Sequence, residues 1–79
     1  MVIIMLTFGQ KLKNLREYCN LTQSALGEKI KLTQRKISYL ENDTCEPAID
    51  DIKAICTFFG VSADYFLTLP KNLKYPDKL

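Results

Sequence analysis

Apolar residues recur along this chain at helical rather than strand spacing. Phe8, Leu12, Leu15 and Cys19 share one helix face, and Thr7-Phe8-Gly9-Gln10 in front of them reads as a capping box. A first helix is therefore expected from Thr7, with Asn20 as a left-handed residue past its end. A second is expected from about Gln23 to Ile30, capped by Thr22, with Leu26 and Ile30 facing inward. A third is expected from about Gln34 to Asn42, capped by Thr33, with Ile37 and Leu40 inward. Only Lys31-Leu32-Thr33 separates the second helix from the third, so a tight turn joins two short helices.

Pro47 is expected to open a fourth helix, with Asp50 and Asp51 in its first turn, where carboxylates suit the helix dipole. Its apolar stripe would be Ile49, Ile52, Ile55, Cys56 and Phe59, and Gly60 would end it. Ser62 is expected to cap a short fifth helix from Ala63 to about Leu67. Strand-type alternation is nearly absent, which predicts an all-α fold of five helices. The apolar, β-branched segment Met1–Leu6 is read either as a short N-terminal strand or as a packed or frayed arm. The expected organisation is an arm at 1–6, one domain at 7–69 and a tail at 70–79, marked by Pro70 and Pro76.

Composition narrows the function. The 79 residues are 47% hydrophobic and 25% charged, ordinary values for one small globular domain. The apolar run through Leu6 is too short to span a bilayer or to serve as a secretory core, so neither a membrane partner nor a signal peptide is expected. The chain has no histidine and three cysteines, Cys19, Cys45 and Cys56, with no CxxC. That set holds no zinc site and no Ser-His or Cys-His nucleophile pair. There is no Gly-rich phosphate loop either, so an enzyme, a cofactor and a small-molecule ligand are all not expected. Cys19 and Cys56 are read as small core residues and Cys45 as a loop residue, and thiols of this kind fit a reducing cytoplasm.

Net charge is +2, but it is unevenly spread. Residues 10–45 carry seven basic and four acidic side chains, whereas residues 46–68 carry one basic and four acidic. A positive first half suggests one face for a polyanion.

The segment Gln23–Asn42 carries the functional signal. Leu26, Ile30, Leu32, Ile37 and Leu40 are its apolar positions, and Gly27 lets the two helices cross closely. Leu21-Thr22-Gln23, together with Thr33-Gln34-Arg35-Lys36-Ile37-Ser38-Tyr39-Leu40-Glu41-Asn42, resembles the Cro/repressor (lambda-repressor-like) family of helix–turn–helix regulators. Gly60-Val61-Ser62-Ala63-Asp64-Tyr65-Phe66-Leu67 is similar to that family's fifth helix. The resemblance covers roughly Phe8 to Leu67. It implies a five-helix domain that binds double-stranded DNA, a homodimer on a palindromic operator, and a role in transcription regulation.

The residue chemistry of the third helix leads to the same place. At 100° per residue, Arg35, Ser38 and Tyr39 point away from Ile37 and Leu40, with Gln34 and Lys36 on the flanks. That face offers amide, guanidinium, hydroxyl and phenol groups and no carboxylate. Such groups read base edges in a major groove: Gln34 an adenine, Arg35 a guanine, Ser38 either, Tyr39 a thymine methyl or a phosphate. Gln23, Thr33, Lys36, Asn42, Lys11 and Lys13 are candidate phosphate contacts. The resemblance implies that Gln23 also braces Gln34, and that Arg16 and Glu41 pair as a partly buried salt bridge. Dimer contacts are expected near Tyr65, Phe66, Leu69, Ile3 and Ile4.

Two departures from the family pattern stand out. The turn carries Lys31 where glycine is usual, and the loop after the third helix is Asp43-Thr44-Cys45-Glu46, where basic residues usually grip the backbone. That acidity favours a competing function, a protein-interaction module such as an antitoxin or anti-repressor partner on the same fold.

Overall fold

The computed structural model describes residues 6–66. Five helices follow in order: α1 (Phe8–Tyr18), α2 (Gln23–Ile30), α3 (Gln34–Glu41), α4 (Ile49–Phe59) and α5 (Ala63–Phe66). α3 packs against both α1 and α2, while α4 bridges α2 and α5. The arm Met1–Met5 and the tail beyond Phe66 lie outside the described residues, and with them the expected strand and the dimer contacts Ile3, Ile4 and Leu69. No helix among the described residues is long and apolar enough to cross a membrane.

Local chemistry sets the helix boundaries. The Thr7 hydroxyl accepts from the Gln10 N–H at 3.1 Å, and the Gln10 side chain accepts from the Thr7 N–H at 2.9 Å, the reciprocal bonds of a capping box. Thr22 and Thr33 accept from the N–H groups of Ala25 and Lys36, each at 3.0 Å. Chain reversals fall where backbone φ is positive: Asn20 at 59°, Lys31 at 61° and Gly60 at 70°. Pro47 does not open α4. The Asp51 carboxylate reaches back to the Ala48 N–H at 3.2 Å, which makes Ala48 the N-cap and Ile49 the first helical residue.

The core is Leu12, Leu26, Ile37, Leu40, Ile55 and Phe66, drawn from all five helices. Each such side chain stabilises the fold by about 1.5–3 kcal/mol through burial. Gly9 and Gly27 each permit a close backbone approach. A Cβ on Gly9 would strike the carbonyl oxygens of Leu40 and Glu41, and one on Gly27 would strike that of Leu32.

Two apolar positions are not where their spacing puts them. Cys19 is exposed, because α1 ends at Tyr18 and the chain turns at Asn20 before the stripe reaches it. Ile49 is 72% exposed. It sits in the first turn of α4, roughly 70° from the centre of the stripe formed by Ile52, Ile55, Cys56 and Phe59. Cys45, by contrast, is half-buried against the core despite its loop position.

Candidate nucleic-acid interface

α2, the Lys31–Thr33 turn and α3 form a helix–turn–helix, and its geometry follows from two backbone devices. Lys31 adopts the left-handed conformation, and its N–H bonds the Gly27 carbonyl, which ends α2. Gly27 then lies under the Leu32 carbonyl, so α3 starts close against the end of α2. Ile37 and Leu40 seal α3 to the core, and Arg35 and Tyr39 stand in solvent.

Behind that face runs a continuous hydrogen-bonded chain of side chains. Arg16 grips Glu41 with two bonds, Nε to Oε2 at 2.6 Å and Nη2 to Oε1 at 3.0 Å, and its Nη1 donates to the Leu21 carbonyl at 2.8 Å. The two side chains are nearly buried, at 11% and 2% exposure. Hydrogen bonding to Glu41 raises the Arg16 pKa above the ordinary guanidinium value. Gln23 Nε2 donates to Glu41 Oε1 at 3.0 Å, and Gln34 Nε2 donates to Gln23 Oε1 at 2.6 Å.

The direction of this chain is forced. A guanidinium only donates and an ionised carboxylate only accepts. Gln23 must therefore turn its N–H to Glu41 and its carbonyl to Gln34. Gln34 in turn spends one N–H on Gln23 and keeps one N–H and its Oε1 for the exterior. That remaining pair is the donor–acceptor set that matches the N7 and N6 edge of adenine.

The other candidate residues divide into two groups. Arg35 and Tyr39 present their guanidinium and phenol with no hydrogen-bond partner among the described residues. Ser38 accepts a long 3.5 Å bond from Asn42, the C-cap of α3. Thr33 uses its hydroxyl oxygen to cap α3, which leaves its O–H to donate. Lys13 is exposed on α1. Lys11 lies elsewhere: it is 8% exposed, its ammonium donates to the Tyr65 carbonyl at 2.8 Å, and it sits 5.5 Å from the Tyr65 ring. Lys36 is flanked by Asp51 at 3.6 Å. Phe66 is a core residue whose ring packs at a tilt against Phe8, 4.9 Å between ring centroids, whereas Tyr65 is 40% exposed.

Two residues matter here that the sequence reading did not single out for these roles. Asp43 accepts from the Thr7 hydroxyl at 2.6 Å and the Gly9 N–H at 2.9 Å, so its charge faces the start of α1. No local pattern signals a bond across that distance of chain. Asp51 was legible as an N-terminal carboxylate of α4 but not as a partner of Lys36.

Comparison with known proteins accords with this architecture. A model of the helix-turn-helix domain matches residues 9–71. The chain belongs to the helix-turn-helix domain family. This helix-turn-helix domain is 36% identical over 61 residues to the HTH-type transcriptional activator BcrR of Enterococcus faecalis, covering 77% of the chain and 30% of that protein. It is 29% identical over 62 residues to the HTH-type transcriptional regulator ImmR of Bacillus subtilis, covering 78% and 49%. The domain thus spans between about a third and a half of the length of these relatives. Among solved structures, the P22 c2 repressor in complex with a synthetic operator superposes with a TM-score of 0.76 at 25% identity, over 81% of the chain and 97% of the repressor chain. The five-helix Cro/repressor-type fold expected from the sequence is the fold observed.

Proposed function

We propose that this helix-turn-helix domain is the DNA-reading part of a cytoplasmic transcription regulator. It would bind double-stranded DNA as a homodimer, with α3 in the major groove of a palindromic operator. One observation carries the reading: the Arg16–Glu41–Gln23–Gln34 chain orients an exposed amide on a helix face that bears no carboxylate. A merely solvated face needs no such bracing. The relatives support it by what their names say, an activator and a regulator of transcription rather than enzymes, and the P22 repressor was solved on operator DNA.

In this reading Gln34, Arg35, Ser38 and Tyr39 contact bases. Gln23, Thr33, Asn42 and Lys13 contact phosphates, with Lys36 available once it leaves Asp51. Lys11 is left out of the phosphate set because its ammonium is bound to α5. Tyr65 remains as a described residue for dimer contact. Half-sites about 34 Å apart follow for a symmetric dimer. The acidity of the loop after α3 opposes DNA less than its composition implies, since Asp43 is bonded to α1.

The test is a salt titration of binding to random duplex and to DNA upstream of the protein's own gene, with wild type beside Arg35→Ala. A steep salt slope, with upstream preference lost in the variant, is expected. Weak, salt-insensitive binding with no preference and no effect of Arg35→Ala would overturn the reading in favour of a protein-interaction module.

A further inference from the structure

Lys36 occupies an uncomfortable position. It lies in the first turn of α3, where the helix dipole disfavours a cation. It is also on the flank of the exposed face rather than at its centre. Its ammonium stands 3.6 Å from Asp51 Oδ2, with the lysine side chain 37% exposed and the aspartate 12%.

The two partners are held very differently. Asp51 is tied in place without Lys36, because the same Oδ2 accepts from the Ala48 N–H at 3.2 Å and the carboxylate lies over the first turn of α4. Lys36 has no second anchor among the described residues and a long flexible stem. A lysine–carboxylate contact this long, with the lysine end open to solvent, is weak and readily exchanged.

We propose that Asp51 is an internal competitor for the DNA backbone at Lys36. In the free chain Asp51 holds the ammonium beside the recognition face. On DNA the ammonium passes to a phosphate oxygen, and Asp51 stays behind as the cap of α4. Asp51 therefore lowers affinity without touching DNA. It also keeps a cation at the start of α3 from destabilising that helix when no phosphate is present. This inference rests on the DNA-binding reading above.

The experiment is a double-mutant cycle on DNA affinity, in the full chain, with Asp51→Asn, Lys36→Met and their combination. Asn keeps an acceptor for the Ala48 N–H, and thermal unfolding checks that each variant folds. Asp50→Asn removes a charge from the adjacent exposed position and reports the general effect of net charge. Asp51→Asn is expected to tighten binding roughly two- to five-fold more than Asp50→Asn does. In the Lys36→Met background that excess should vanish, and Lys36→Met alone should lower the salt slope by about one. An Asp51→Asn excess that persists without Lys36 would overturn the proposal, as would weaker binding by Asp51→Asn or an unchanged slope in Lys36→Met. Absence of salt-dependent binding by the wild type would instead remove the DNA reading itself, before any variant is compared.

Discussion

The Thr7 hydroxyl donates to Asp43 at 2.6 Å, tying the start of α1 to the loop that leaves α3. The other carboxylate oxygen of Asp43 takes the Gly9 N–H, one of the free donors at the α1 N-terminus. Asp43 thus caps a helix to which it is not adjacent in sequence. Asp43→Ala should lower stability by about 1–2 kcal/mol, the scale of a lost cap, with added strain because φ at this position is 58°. Asp43→Asn, which keeps an acceptor and tolerates that backbone, should fall between the two. Thermal denaturation of the three proteins checks the order.

Glu41 serves both stability and orientation. Glu41→Ala would leave the Arg16 guanidinium nearly buried without its carboxylate, at a cost of about 3 kcal/mol. Replacing Arg16 and Glu41 together with methionine should cost clearly less than the sum of the single changes. Chemical denaturation of the four proteins in the cycle measures this. In the variants that still fold, discrimination at the base facing Gln34 should weaken, because Gln23 loses the group that sets its direction.

Lys31 holds a left-handed conformation that glycine adopts without strain. Lys31→Gly should therefore raise stability by about 0.5 kcal/mol, the relieved strain exceeding the added freedom of the unfolded chain. Gly27→Ala, four residues earlier, should do the reverse, by about 1–3 kcal/mol, because the new methyl meets the Leu32 backbone. Midpoints of urea unfolding would show both signs.

The cysteines should react in an order set by their surroundings. Cys19 is exposed, and Cys45 and Cys56 are half-buried, so Cys19 should be alkylated first in the native protein. Burial pushes the Cys56 thiol above its usual value of 9.0. As pH rises past that value the unfolded chain loses a proton that the folded chain retains, so this group's contribution lowers folding stability in that range. Substituting Cys56 with alanine should remove that part of the decline, which unfolding curves at pH 8 and pH 10 would detect.

Much of the fold is legible in the sequence because its signals are local. Thr7 with Gln10, and Thr22 and Thr33 at their helix starts, announce themselves through capping chemistry within four residues. Leu26, Ile37 and Leu40 are found by period alone. The same period overreaches at Cys19 and Ile49, where a helix has ended or barely begun, since spacing carries no information about where the backbone turns. At the candidate site, the residue types on α3 are readable from a helical wheel. The bonds of Lys11 to the Tyr65 carbonyl, Lys36 to Asp51 and Gln23 to Glu41 are not, because each joins groups on separate helices whose meeting depends on how those helices cross.

The one-way hydrogen-bonded chain that ends at Gln34 has a consequence for descent. A substitution at Gln34 leaves the Gln23 carbonyl facing outward and unmatched, and a substitution at Gln23 removes one of the two bonds that Glu41 Oε1 accepts. Change there drags the scaffold with it. Arg35 and Tyr39 have no such ties among the described residues. With α3 reading bases as proposed above, new preferences would accumulate at those two positions while the amide stays constant, so divergent copies of this domain would share one letter of their target and differ in its neighbours.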